Sequence, residues 1–400
     1  RTIWEEAFTV APDLVDSAIE AYEKDDPLPD NAIEPITEGL YGELRTALRA
    51  VYCSCNALLA IGETQWADTT RDWAETLAED NSNVLSQPSE APLTDEQITG
   101  IGRMYHLTHM AALRTSVSLR DEADYTELRK LLEHTSDEWL QLGGLALLAE
   151  ATNNTPDRKA LSPLVKKHQD DPDFAHPVSM AGLIMLHDDP DTALGTIHSV
   201  LSSADADLRC TVTQQLMAAA QVEESARALR AFVSRQELDD MPSVCMALAL
   251  RGSGNEDIAR ESYPTDRKEQ DIEYLCAVHA LGAMNNHKDD AEWLKDVLRN
   301  GAGDERYCAT YYLGLARVQS ALPVWASVSD QVDAEWGLRA LNASMLVRHG
   351  HRLGIQWFGK NAQQRPPRQQ PAMAYHLARA VSEIIPLMHR CCDINLGRFV

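Results

Sequence analysis

The chain has 400 residues, of which 44% are hydrophobic and 24% charged, and a formal net charge of −25. That length exceeds what one compact core usually holds, and the composition is globular rather than disordered. No apolar run approaches the roughly 20 residues needed to span a bilayer, and the acidity argues against a duplex phosphate backbone or an anionic lipid surface as partner.

The charge is unevenly spread. Residues 1–100 hold 5 Lys and Arg against 21 Asp and Glu, whereas residues 301–400 hold 11 against 7. An acidic head points to a basic partner, although acidity alone also keeps a long chain soluble. The first twenty residues, RTIWEEAFTVAPDLVDSAIE, hold two early acids and no continuous apolar stretch, so no signal peptide is expected in them. Eight cysteines are too few for a disulfide scaffold, and a reducing cytoplasm is the expected compartment.

In chain order, residues 1–80 read as an acidic N-terminal helical region, with helices expected over 11–24, 37–61 and 64–79. The third lies in GETQWADTTRDWAETLAED (62–80), where Trp66, Trp73 and Leu77 share one face. Asp68, Asp72, Glu75 and Glu79 fall at i, i+4, i+7 and i+11 and form an acidic stripe on roughly the opposite face. That stripe is either the solvated side of an ordinary amphipathic helix or a docking ridge for a Lys/Arg-rich protein. Its four like charges repel one another unless something positive neutralises them. Residues 81–94 are polar and aperiodic and read as a linker loop.

From residue 95 to 358 the chain repeats itself. Residues 271–284 read DIEYLCAVHALGAM, and from Asp304 the sequence reads DERYCATYYLGLARV. An acid precedes each of a series of Ala/Leu-rich helices: Asp137, Asp173, Asp207, Asp240, Asp271, Asp304 and Asp333. An Asp there can accept a backbone N–H bond and cap the helix. Each apolar helix is followed by a turn and a more amphipathic second helix, as in DTALGTIHSVLS (191–202) and DDAEWLKDVLRN (289–300). A single stripe on each of two short helices cannot be buried within one unit, so successive units must stack. The expected fold is all-α: an α-solenoid of antiparallel helix pairs with an N-terminal helical region. Residues 359–400 hold a Pro/Gln-rich break, NAQQRPPRQQP (361–371), and a C-terminal capping helix (372–392) that Pro386 kinks or shortens.

This pattern resembles HEAT-type repeats in its acid-capped first helix, its Ala/Leu/Gly interior and its short second helix. Tetratricopeptide arrays have a similar period, but their Trp, Leu-Gly, Tyr, Ala and Pro signature does not recur here. Iron-binding HEAT-like hydroxylases use His-Glu dipeptides, and this chain contains none.

Chemical motifs are sparse. Cys210, Cys245, Cys276 and Cys308 occupy matching places in four repeats, which spreads them along a ladder and makes them core residues rather than metal ligands. His106, His109, His349 and His351 lack an acid cluster or a third His nearby, so no metal is expected. Cys391 and Cys392 are a candidate thiol pair. There is no GxGxxG, GxxxxGK[ST] or GxSxG, and no cofactor is expected. The sequence therefore points to a non-enzymatic protein-binding solenoid whose acidic surface takes a basic protein, as an adaptor or as an immunity-like neutraliser of a toxin or effector. An enzyme with a site hidden in the loops, or a scaffold that self-associates head to tail, are the alternatives.

Overall fold

The structure, a computed structural model, describes the backbone of residues 30–86, 95–120, 124–250, 271–362 and 373–380, and within these the side chains of 30–44, 79–86, 95, 97, 207 and 362 lie outside the description. The described residues are helical with connecting turns and contain no strand. They fall into two compact units, residues 1–135 with 356–400 and residues 136–355.

The first unit contains α1 (Asp30–Ile61), α2 (Ala67–Ser86), α3 (Asp95–Leu119) and α4 (Thr126–His134). The helix expected over 37–61 starts earlier, at Asp30, and α2 runs six residues into the expected linker. The expected helix at 11–24 lies outside the described residues. α3 packs against both α1 and α2 and also touches α4. Leu48, Cys55, Leu77, Leu107 and Leu113 are fully buried or nearly so.

The second unit is built from helix pairs. Its first helices are α5 (Glu138–Thr152), α7 (Ala175–Met185), α9 (Ala206–Ala219), α11 (Met241–Ala249), α12 (Ile272–Met284), α14 (Gly303–Leu315) and α16 (Trp336–Arg348). Their second helices are α6 (Thr155–His168), α8 (Pro190–Ser203), α10 (Glu223–Val233), α13 (Lys288–Asn300) and α15 (Leu322–Asp330), while the stretch after α11 lies outside the described residues. Each first helix packs on the next, from α5 on α7 through to α14 on α16. This explains their composition: a helix with neighbours on several sides is apolar all round, as in α11, where residues 242–249 are all buried. α17 (Arg352–Ala362) follows α16.

Acid capping holds for three of the seven expected places, and a neighbouring acid caps at a fourth. Asp137, Asp240 and Asp271 cap α5, α11 and α12, accepting from Trp139, Ser243 and Glu273 N at 2.8, 2.8 and 2.9 Å. At α9 the neighbouring Asp205 caps in place of Asp207, accepting from Leu208 N, whereas Asp171 accepts from Asp173 N and caps only the 3-10 turn of residues 172–174 ahead of α7, whose own cap, Phe174, makes no side-chain bond. Asp304 and Asp333 do not cap. The α14 cap is Ala302, whose N–H is bound by Glu305 at 2.9 Å, and the α16 cap is Glu335. Asp240→Ala is therefore expected to lower stability by about 1 kcal/mol, and Asp333→Ala by less than about 0.5 kcal/mol, both read from urea midpoints.

A second repeat feature sits four residues after the cap. Arg209, Arg306 and Arg339 each reach back to a carbonyl at the end of the preceding second helix, Leu201, Leu298 and Ser329 O, at 3.3, 2.9 and 3.0 Å. These guanidinium groups satisfy helix-end carbonyls that have no intrahelical partner, and they tie each pair to the next. The Leu-Gly of the repeat also has a packing reason, because a Cβ on Gly314 would lie 2.5 Å from Met345 Sδ of α16.

First helices also meet out of sequence. α9 touches α14 directly, past α11 and α12. Side chains of these four helices therefore meet one another.

Candidate functional site

α2 carries the acidic stripe and is held by its other side. Ala67, Thr70, Ala74 and Leu77 are buried, Trp66 and Trp73 are half-buried, and Asp68, Asp72 and Glu75 are exposed. Thr70 Oγ1 bonds back to Trp66 and Ala67 carbonyls at 3.1 and 3.0 Å, which lets a polar residue sit in the buried face. Glu79 lies on the same helix, with its side chain outside the description.

The stripe does not stand alone. Arg120, at the end of α3, donates from Nη2 to Asp68 at 2.6 Å. Arg71 bonds Glu75 through Nε at 3.2 Å and Glu127 of α4 through Nη1 at 2.7 Å. The hydrogen bond that Arg71 donates to Glu127 is the main cause that raises the Arg71 pKa. Asp72 makes no ion pair among the described residues. Exposed pairs of this kind contribute roughly 0–1 kcal/mol and weaken with salt, so they order the stripe without locking it.

The same two arginines line a pocket of about 170 Å³ between α2, α3 and α4. Asp124 and Glu127 line it as well, and Ser116 contributes a fully buried hydroxyl that makes no hydrogen bond among the described residues. Asp124 Oδ1 accepts from Thr126 N at 3.0 Å, and hydrogen bonding to Thr126 holds its pKa below the usual carboxylate range. On α3, His109 has its pKa lowered to about 4, mainly because burial disfavours the imidazolium; Glu127 opposes the shift, while His106 and Arg71 add to it.

The second unit holds a buried polar cluster where α9, α11, α12 and α14 converge. Arg209 grips Glu273 through Nε and Nη2, both at 2.9 Å. Tyr312, 1% exposed, donates to Glu273 Oε1 at 3.1 Å, and Cys245 Sγ lies 4.0 Å from its hydroxyl. Burial works against the Arg209 charge, but the Glu273 carboxylate outweighs it and raises the pKa. Burial also pushes the Tyr312 phenol well above its ordinary value.

No family model matches this chain, and no curated protein or solved structure matches it either.

The four ladder cysteines are all buried. Burial pushes Cys245 up to about 11 and Cys308 up to about 12, and raises Cys276 as well, so these thiols stay protonated at neutral pH and are poor nucleophiles and metal ligands. Cys391 and Cys392 lie outside the described residues. His349 packs its ring 4.8 Å from Trp325. A His–acid pair that the sequence reading passed over is His279 and Asp290, 2.7 Å apart and buried between α12 and α13, with His279 stacked on Trp293 at 3.9 Å. Among the described residues no group of three or more His, Cys, Asp or Glu is placed to hold a metal ion, and no helix is long and apolar enough to cross a membrane.

Proposed function

We propose that this chain is a non-enzymatic, HEAT-like α-solenoid that binds a basic protein partner on an acidic surface, as an adaptor or as a neutraliser of a toxin or effector, in the cytoplasm. The observation that carries this is the exposed row of Asp68, Asp72 and Glu75 on α2, set on the side opposite the buried Ala74 and Leu77 and placed in the most acidic quarter of the chain. A Lys/Arg-rich segment laid along the row replaces Arg120 and Arg71 as the positive neighbours of Asp68 and Glu75 and supplies the charge that Asp72 lacks.

Pull-down at low and high salt, together with titration of an oligolysine peptide, tests this reading. Basic proteins should dominate the captured set at low salt. The Asp68→Asn, Asp72→Asn, Glu75→Gln triple variant should weaken peptide binding at least tenfold, and the wild-type affinity should fall with added salt. Capture of partners that are not basic, or binding indifferent to salt, removes the proposal. Light scattering across the same salt series addresses the scaffold alternative, which requires head-to-tail association.

A further inference from the structure

The pocket between α2, α3 and α4 has a chemistry of its own, independent of protein docking. Arg120 spends only Nη2 on Asp68, and Arg71 spends Nε and Nη1 on its two glutamates. A guanidinium carries five N–H donors. Several donors of both arginines thus make no hydrogen bond among the described residues, at a cavity whose wall also holds the unpartnered Ser116 hydroxyl. Donors in excess call for a ligand rich in acceptor oxygen.

The lining charge narrows the choice. Among the described lining residues the two guanidinium groups face the carboxylates of Asp124 and Glu127, while Asp68 and Glu75 already offset part of the arginine charge from outside the pocket, so a dianion meets no surplus of positive charge. The remaining wall includes the aliphatic side chains of Leu113, Val117 and Leu128. A ligand that matches all three surfaces carries a carboxylate, an ammonium and a small apolar body, within about 170 Å³.

We propose that this pocket binds a free α-amino acid with an aliphatic side chain, its carboxylate on Arg71 and Arg120 and its ammonium on Asp124 and Glu127. A chain terminus supplies only one of the two charges, so it fits half of the site.

Calorimetric titration of the whole chain with L-leucine, N-acetyl-L-leucine and L-leucinamide tests this. Leucine should bind, and each charge-deleted analogue should bind at least tenfold more weakly. Arg120→Gln and Asp124→Asn alter exposed side chains and should keep the helical circular dichroism, while each weakens leucine binding at least tenfold. Val117→Trp, which fills the cavity, should abolish it. Three results overturn the proposal: no heat with leucine up to the order of 10 mM, where little binding free energy remains; N-acetyl-leucine or leucinamide binding as tightly as leucine; or leucine binding unchanged in Arg120→Gln.

Discussion

Replacing Glu273 with alanine is expected to cost about 3–5 kcal/mol, because it leaves the Arg209 guanidinium buried without its carboxylate. The geometry makes the cost steep. Arg209 and Glu273 form a two-pronged bond at 2.9 Å for each prong, and their side chains are only 16% and 12% exposed. Tyr312 donates its hydroxyl to the same carboxylate and is left without that acceptor too. By contrast, the double variant Arg209→Met, Glu273→Leu removes both charges and should recover most of the loss, since a buried pair rarely outperforms well-packed apolar side chains. Tyr312→Phe should cost only about 1 kcal/mol, the net worth of one neutral-donor bond. Urea midpoints at pH 7 read all three. If Glu273→Ala costs under about 1 kcal/mol, or the double variant is worse than either single one, the cluster is not the charge-balanced centre described here.

This cluster marks the limit of what the sequence makes legible. The helix pairs are visible in advance because apolar periodicity and capping acids are local signals: Asp137, Asp240 and Asp271 each act on an N–H two or three residues ahead. Where several acids crowd a turn, the pattern cannot choose among them: Asp205 rather than Asp207 caps α9, and beside Asp173 it is Asp171 that caps, on a 3-10 turn ahead of α7. Arg209 and Glu273 are 64 residues apart, and their bond depends on α9, α12 and α14 converging. No spacing rule announces that. The same holds for the acidic stripe. Helical geometry places Asp68, Asp72 and Glu75 together, yet the pairing of Asp68 with Arg120 spans 52 residues and appears only once α3 lies against α2. The recurrent arginine four residues after the cap is a signal of another kind: it stands in plain view at Arg209, Arg306 and Arg339, but its purpose shows only when the preceding helix ends beside it.

Acid should weaken the first unit through His109. Its pKa falls from 6.5 to about 4 on folding, chiefly because burial penalises the charged ring. Between those two values the unfolded chain holds more protons at this site than the folded one, so stability drops as pH falls. The contribution is flat above about 6.5 and fully lost below about 4. The full shift corresponds to about 3 kcal/mol, and because solvent reaches part of the ring, about 1–3 kcal/mol is expected in practice. Other carboxylates also titrate at the lower end, so the informative quantity is a difference. His109→Gln keeps a polar side chain and removes the titration. Relative to wild type, it should gain stability progressively between pH 6.5 and 4 and hold a constant offset above pH 7, as read from urea midpoints of the whole chain. A difference curve that stays level through that window means that the folded imidazole accepts its proton as readily as the unfolded one. In that case the fold does not hold His109 in the half-buried setting that lowers its pKa.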